Sequence, residues 1–330
     1  MTYALREHEA AFFERELASF VPDRVFDAHC HLWPAEHDEA VWNCNAWGEA
    51  VGFTDYRARV DLLHPGRDVA AMFLPLPEPN AALHPAQNDW ITEQTHADPT
   101  GRSRGSYFVR PGDDPALVRE QVRMRRLHGL KCYHNQAATK PTWEADIEAF
   151  LPEDLVAVAD ELGLTITLHM VKRRAVADPA NIATIRRYCE TYPNMRLILA
   201  HSARGFCAAH NVEGLPHLRG LDNLWFDTSA NCDPMAHIAI IKTCGHERLM
   251  YGSDFHISHM RVLPLTAADG FLWLYDHTPV WGEKQGRVEP VMVGLEHLRS
   301  IKWACWSLGL SDGQIEDIFW NNAARLFDVR

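Results

Sequence analysis

Four histidines and one aspartate stand at places in this chain where chemistry can be done. His29 and His31 flank Cys30 in the segment VFDAHCHL. In an extended strand the side chains alternate, so both imidazoles share one side and Cys30 faces the other. His169 closes another apolar run, His201 a third, and Asp254 ends the tripeptide Gly252–Ser253–Asp254 after a fourth. Neutral imidazole and carboxylate are the ligands of Zn²⁺ and similar divalent metals. A catalytic site of that type keeps one position open, and the metal makes a water reactive near neutral pH. Each signal alone is weak. A lone histidine at a strand end is more often a hydrogen-bonded structural residue, and Asp254 alone would serve as an N-cap. The argument rests on their meeting at one spot.

Only a fold can bring segments so distant together. Eight short apolar runs recur along the chain: Val25–Leu32, Val69–Leu76, Gly105–Pro111, Leu127–His134, Leu164–Val171, Met195–Ser202, Leu224–Ala230 and Arg248–Phe255. Rich in β-branched and aromatic residues, they read as buried parallel strands. Most are followed by a stretch of helical period. Pro115–Arg126 opens after Asp114, Asp178 precedes Pro179, and Asp233 precedes Pro234, each an N-cap followed by proline at N1. Gly163 stands where a C′ glycine belongs. Eight such units close a (β/α)8 barrel of the TIM type. A doubly wound open sheet is the rival, but no G-x-G-x-x-G follows any run. In a barrel the C-terminal strand ends share one mouth, and His29, His31, His169, His201 and Asp254 all fall there.

The whole chain, residues 1–330, reads as a single barrel domain. Residues 1–24 form an N-terminal helical extension. Long insertions follow strand one (33–67) and strand eight (256–294), both at the mouth. They carry Trp33, Trp42, Trp47, Trp273 and Trp281, whose aromatic content argues against disorder. Helix-like stretches at Leu295–Leu308 and Ser311–Phe327 end the chain.

Composition narrows the classes. With 47% hydrophobic and 23% charged residues, the chain is of the soluble globular type. A net charge of −12 disfavours nucleic acid as a partner. No apolar run approaches the length of a membrane span, and the charged first twenty residues lack a signal-peptide core, so the cytoplasm is the expected compartment. The eight cysteines show no C-x-x-C spacing and are expected to be reduced. Neither a G-x-S-x-G elbow nor a Walker A loop is present. The expected partner is a small-molecule substrate. A homodimer is the closed assembly to expect on general frequency.

The segments FDAHCHLW, GLKCYHN, GLTITLHM, PNMRLILAHSARG, NLWFDTSA, RLMYGSDF and NNAARLF together resemble the amidohydrolase superfamily, in its amidohydrolase-2 branch. The likeness spans residues 26–327. It implies a (β/α)8 barrel whose members hydrolyse amide, ester or lactone bonds, or decarboxylate aromatic or unsaturated acids without oxidation. Carried over by position, His29, His31, His169 and Asp254 would hold one divalent metal, zinc ahead of manganese. His201 would hydrogen-bond the activated water or act as acid/base, and Asp254 would shuttle the proton. A binuclear site on His169 and His201, bridged by a carboxylated Lys131, is the less favoured arrangement. Relatives often read K-x-H on strand four; here Lys131 is followed by Cys132 and Tyr133. Lys131, Arg204, His256 and Trp33 are the expected substrate contacts. Lys131 and Arg204 would meet a carboxylate or a developing oxyanion. Hydrolysis is the favoured reaction, decarboxylation the alternative.

Overall fold

The structure is a computed structural model that describes residues 4–37, 49–275 and 290–329. Eight parallel strands follow in sequence order: β1 (Arg24–His31), β2 (Asp68–Leu74), β3 (Arg104–Phe108), β4 (Gly129–Cys132), β5 (Thr165–Leu168), β6 (Arg196–Leu199), β7 (Leu224–Asp227) and β8 (Leu249–Met250). The tail of β8 closes on β1. Ala28 N donates to Tyr251 O (2.9 Å), Asp254 N to His29 O (2.8 Å) and His31 N to Phe255 O (2.9 Å). The expected (β/α)8 barrel is therefore present, and each expected run overlaps a strand. The strands end earlier than the apolar runs because their last residues leave the ladder to form the mouth.

Local signals act as the sequence implies. Asp114, Asp178 and Asp233 each accept a hydrogen bond from the backbone N–H two residues on, which caps helices Pro115–Arg125, Pro179–Thr191 and Pro234–Cys244. Gly163 ends helix Glu153–Leu162 in the left-handed conformation at φ +63°. Among the described residues no helix is long and apolar enough to cross a membrane. The seven cysteines in this part of the chain are free thiols.

Two apolar layers surround the sheet. The larger lies between strands and helices and contains Cys30, Cys132, Phe73 and Leu199. The smaller fills the barrel, where Phe26, Ala28, Ala70, Met72, Ile198 and Met250 meet Trp320 and Phe327 of the C-terminal segment. Arg104, at the start of β3, donates from Nε to Phe327 O (2.9 Å), so this segment closes the end opposite the mouth.

The N-terminal extension contains helix Glu7–Glu16. Its fully buried Glu9 accepts from Arg261 Nη2 (2.6 Å) and Met292 N (3.0 Å), which ties the helix to the region beyond β8. Trp33, directly after β1, pairs with Val51. Beyond them helix Phe53–Val60 packs Tyr56 edge-on against Phe73 at 5.5 Å. After β8 comes an antiparallel hairpin of β9 (Val262–Ala267) and β10 (Gly270–Tyr275). Trp42, Trp47 and Trp281 lie outside the described residues.

Several buried histidines lie away from the mouth. His64 hydrogen-bonds the Tyr251 hydroxyl (2.8 Å), and His237 pairs with Ser202 and Ser300 hydroxyls (2.9 and 3.0 Å). Burial pushes His64 down to about 3, His237 to about 4, and His297 well below the ordinary histidine range. Because the folded values lie below the unfolded one, the unfolded chain binds the extra protons. Stability is complete above about pH 6.5 and falls as pH drops towards about 4, by roughly 1.4 kcal/mol per unit for each such group. Thermal melts from pH 7.5 to 4.5 should show Tm falling across that window. A flat profile would contradict the neutral assignment.

Candidate metal centre

The mouth is built by what happens where the strands stop. In β1 the pairing with β2 slips between Asp27 and Cys30. Phe26 and Ala28 point into the barrel; strict alternation would next send Cys30 inward. The slip hands the inward position to His29 and His31, while Cys30 packs in the outer layer. The imidazole Nε2 atoms then lie 3.2 Å apart. Asp254 Oδ1 stands 3.6 Å from His29 Nε2 and 3.4 Å from His31 Nε2. One donor atom from each of the three falls within 4.8 Å of the others, and all three side chains are buried.

Protonation shows what this cluster is suited to hold. His29 Nδ1 donates to Asp227 Oδ2 (2.9 Å), and His31 Nδ1 to the carbonyl of Pro75 (3.0 Å). Those acceptors fix the tautomer, so both Nε2 atoms carry lone pairs. Two lone pairs and a carboxylate thus face one another in a buried space. Burial would raise the Asp254 carboxyl, but His201, His31 and His29 more than reverse that and hold it well below the ordinary carboxylate range. Burial pushes His29 down against the pull of Asp227, so it is neutral near pH 7. A set of acceptors converging without a proton fits a divalent cation, and outer acceptors on each Nδ1 are the usual support of such a site.

His201 arrives by an unusual path. After β6 the chain makes a left-handed turn in which His201, Ser202, Ala203 and Arg204 all have φ between +51° and +57°. Such residues cost about 1–2 kcal/mol each and persist only when their surroundings over-determine them. Here Asp227 Oδ1 accepts from His201 N (3.0 Å), Asn231 Nδ2 donates to His201 O (3.2 Å), and Asn211 Nδ2 to Ser202 O (2.7 Å). The ring donates from Nδ1 to Ser229 O (3.0 Å) and receives the Nδ1 proton of His169 at Nε2 (3.1 Å). Asp254 Oδ2 lies 3.8 Å from His201 Nδ1. Burial, more than its charged neighbours, pushes His201 and His169 below the ordinary histidine value.

The remaining sequence candidates have these places. His169 is at the mouth, joined to His201 rather than to the compact trio. Lys131 is fully buried, 4.7 Å from the Tyr133 ring centroid, and its Nζ has no hydrogen-bond partner among the described residues. Arg204 lies over the Trp143 ring at 5.2 Å. Trp33 is fully buried, stacked on Phe255 at 6.3 Å, with His256 edge-on at 5.2 Å.

Sequence reasoning missed the residues that hold this cluster in place. Asp227 touches His29, the backbone of His201 and the Ser229 hydroxyl. It stands at the C-terminal end of β7, so the strand-end rule that selected the histidines also points to it. Asp27 accepts from Ser253 Oγ (2.6 Å), Ser253 N (2.7 Å) and Tyr56 hydroxyl (3.0 Å), which locks Asp254's neighbour onto β1. Replacing Asp227 by asparagine should weaken metal retention by about 10–100-fold, measured by competition with a chelator. Unchanged retention would mean that the His29 tautomer does not matter.

A sequence model of the amidohydrolase family matches residues 26–329. The chain belongs to the amidohydrolase family. Members of its amidohydrolase-2 branch include both hydrolases and decarboxylases. Comparison with curated protein sequences finds no match. Among solved structures, an amidohydrolase from Burkholderia multivorans with bound HEPES superposes with a TM-score of 0.62 at 14% identity, over 93% of this chain and 99% of that one. A second crystal form of that protein contains zinc (TM-score 0.60, 13% identity, 93% of this chain and 99% of that one). A 5-carboxyvanillate decarboxylase from Sphingomonas paucimobilis gives 0.57 at 13% identity, over 94% of this chain and 100% of that one. At such identities the likeness of this amidohydrolase to them is one of fold.

Proposed function

We propose that this amidohydrolase hydrolyses an amide, ester or lactone bond in a small acidic or aromatic substrate, with one divalent metal at the mouth. The observation that carries the reading is the trio His29, His31 and Asp254, whose acceptor atoms converge while Asp254 Oδ2 turns towards His201. A divalent cation held there would polarise the substrate carbonyl and make a water reactive near neutral pH. His169 is the proposed further ligand, and zinc, present in one structural neighbour, is preferred to manganese.

The chain's own groups supply the rest. Asp254 accepts the proton released by the attacking water and returns it to the leaving group. His201, oriented through Ser229 at Nδ1, offers its Nε2 lone pair to a proton of the water in place of the His169 N–H. Buried Lys131 offers a positive charge to the same oxygen, where a preorganised donor is worth about 3 kcal/mol.

Decarboxylation is a second reading, favoured by one feature. The His201 ring is stacked on Phe206 at 5.5 Å, so an aromatic acid lying on that surface would present a ring carbon to a proton donor. Structural neighbours named as a 5-carboxyvanillate decarboxylase and a putative 2-pyrone-4,6-dicarboxylic acid hydrolase support both chemistries equally. The test is a panel of aromatic acids, esters and lactones assayed in parallel for CO₂ and for acid release. Acid without CO₂ is expected; CO₂ with no hydrolysed bond would overturn the reading.

A further inference from the structure

Next to the His169–His201 pair lies a cavity of about 270 Å³, lined by Trp143, Arg204, Phe206, His210 and Phe271 among others. We propose that it is a subsite for an aromatic anion, with Arg204 taking a carboxylate on the side of the substrate remote from the reacting bond. The proposal deepens the reading of the mouth as the reaction site and rests on that reading for which end of the ligand reacts.

The charge balance of the cavity singles out Arg204. Of the other cations, Lys172 and Arg174 are neutralised by the protein, and Arg173, which also lines the cavity, is exposed to solvent that screens it. Lys172 pairs with Asp146 (2.7 Å) and Asp178 (3.6 Å), and Arg174 pairs with Glu213. Arg204 donates only from Nη1 to the carbonyl of Lys172 (3.0 Å), and no carboxylate among the described residues lies within ion-pair distance of it. Burial pushes it down to about 10, so it is still charged at neutral pH. A half-buried guanidinium with no anion has lost water and gained only one carbonyl, a deficit that a planar carboxylate would offset bidentately. The carboxylates that line the cavity, Glu144 and Asp269, are on its exposed rim, where solvent screens them.

The walls select a flat partner. The Arg204 guanidinium lies over Trp143 at 5.2 Å, and Trp143 is also 6.4 Å from the His169 ring. On the other side, Phe206 stacks on His201 at 5.5 Å and on Phe271 of the β9–β10 hairpin at 4.6 Å, both with interplanar angles of 30°. This gives a continuous aromatic surface from the mouth to the hairpin. The hairpin is fixed there, since Thr266 Oγ1 donates to Phe206 O (2.7 Å). A ring on this surface would have one edge at His201 and the other at Arg204. The cavity is smaller than those that take drug-sized ligands, as suits one ring with a short substituent.

Arg204 could instead only brace the left-handed turn through its bond to Lys172 O. Calorimetric titration of the full-length protein with benzoate and with its neutral isostere benzamide separates the two roles. Wild type should bind benzoate at least about tenfold more tightly, the value of one charge-assisted pair. Arg204→Gln should bring that ratio close to one, Arg204→Lys should keep part of it, and Trp143→Leu should weaken both ligands alike. The same titrations in a His31→Asn background remove the metal as an alternative seat for the carboxylate. Persistence of the preference there would support the subsite even if no substrate were ever hydrolysed. A preference that vanishes with His31→Asn, or survives Arg204→Gln, overturns the proposal. Thermal melts check folding, and should Arg204→Gln fail to fold, the Arg204→Lys ratio decides, an unchanged value counting against the subsite.

Discussion

Replacing His201 by asparagine is expected to remove turnover while leaving bound metal near the wild-type amount. The ring is tied by hydrogen bonds to Ser229 O and to His169, and its Nδ1 is 3.8 Å from Asp254 Oδ2. It therefore stands beside the converging trio rather than within it. Loss of a positioned acid/base group lowers kcat by about 10²–10⁴-fold. Asparagine neither titrates near neutrality nor accepts the His169 proton in the same place. It does tolerate a positive φ better than histidine does, so the turn at φ +57° should survive and Tm should stay close to wild type. The checks are kcat on the substrate identified by the panel, elemental analysis and a thermal melt. Losing half the metal would instead indicate a binuclear site on His169 and His201. Turnover within tenfold of wild type would leave Asp254 as the sole proton carrier.

The barrel was legible because its signals are local and periodic. Each run had the length and β-branched content of a buried strand, and Asp114, Asp178 and Asp233 marked helix starts by their own chemistry. His29, His31, His201 and Asp254 were legible for a topological reason: a parallel barrel delivers every strand's C-terminal end to one rim. The supports were not, because their partners are remote in sequence. Asp227 and His29 are 198 residues apart, and Ser253 and Asp27 are 226 apart. The slip in β1 was invisible as well. Alternation counted within His29–His31 gives the right pair, yet counted from Phe26 it would have pointed Cys30 inward. The neighbours of Trp33 were equally remote: Phe255 is stacked on it at 6.3 Å and His256 is edge-on at 5.2 Å.

Lys131→Met should make the protein more stable and a much poorer enzyme. The ammonium lies inside the barrel with no solvent exposure and no hydrogen-bond partner among the described residues. Burial, only partly offset by Cys132, Asp227 and Asp254, pushes its pKa down to about 8. Since the folded value lies below the unfolded one, the unfolded chain holds the proton more firmly between about pH 8 and 10.5. The cost to folding is absent above that window and complete below it, at roughly 3 kcal/mol. Methionine, of similar length and shape, removes the charge without leaving a void, so Tm at pH 7 should rise. The Tyr133 ring 4.7 Å away compensates a buried cation only in small part, whereas the Asp254 carboxylate and a developing oxyanion would justify it. Removing one such preorganised donor lowers kcat by about 10²–10³-fold. In the wild type, kcat should also decline as pH rises through about 8, where the lysine loses its proton, and the Lys131→Met profile should lack that limb. A variant that is stabilised yet fully active would show the charge to be a structural accident. One that is destabilised would mean that the ammonium has a partner of its own within the barrel.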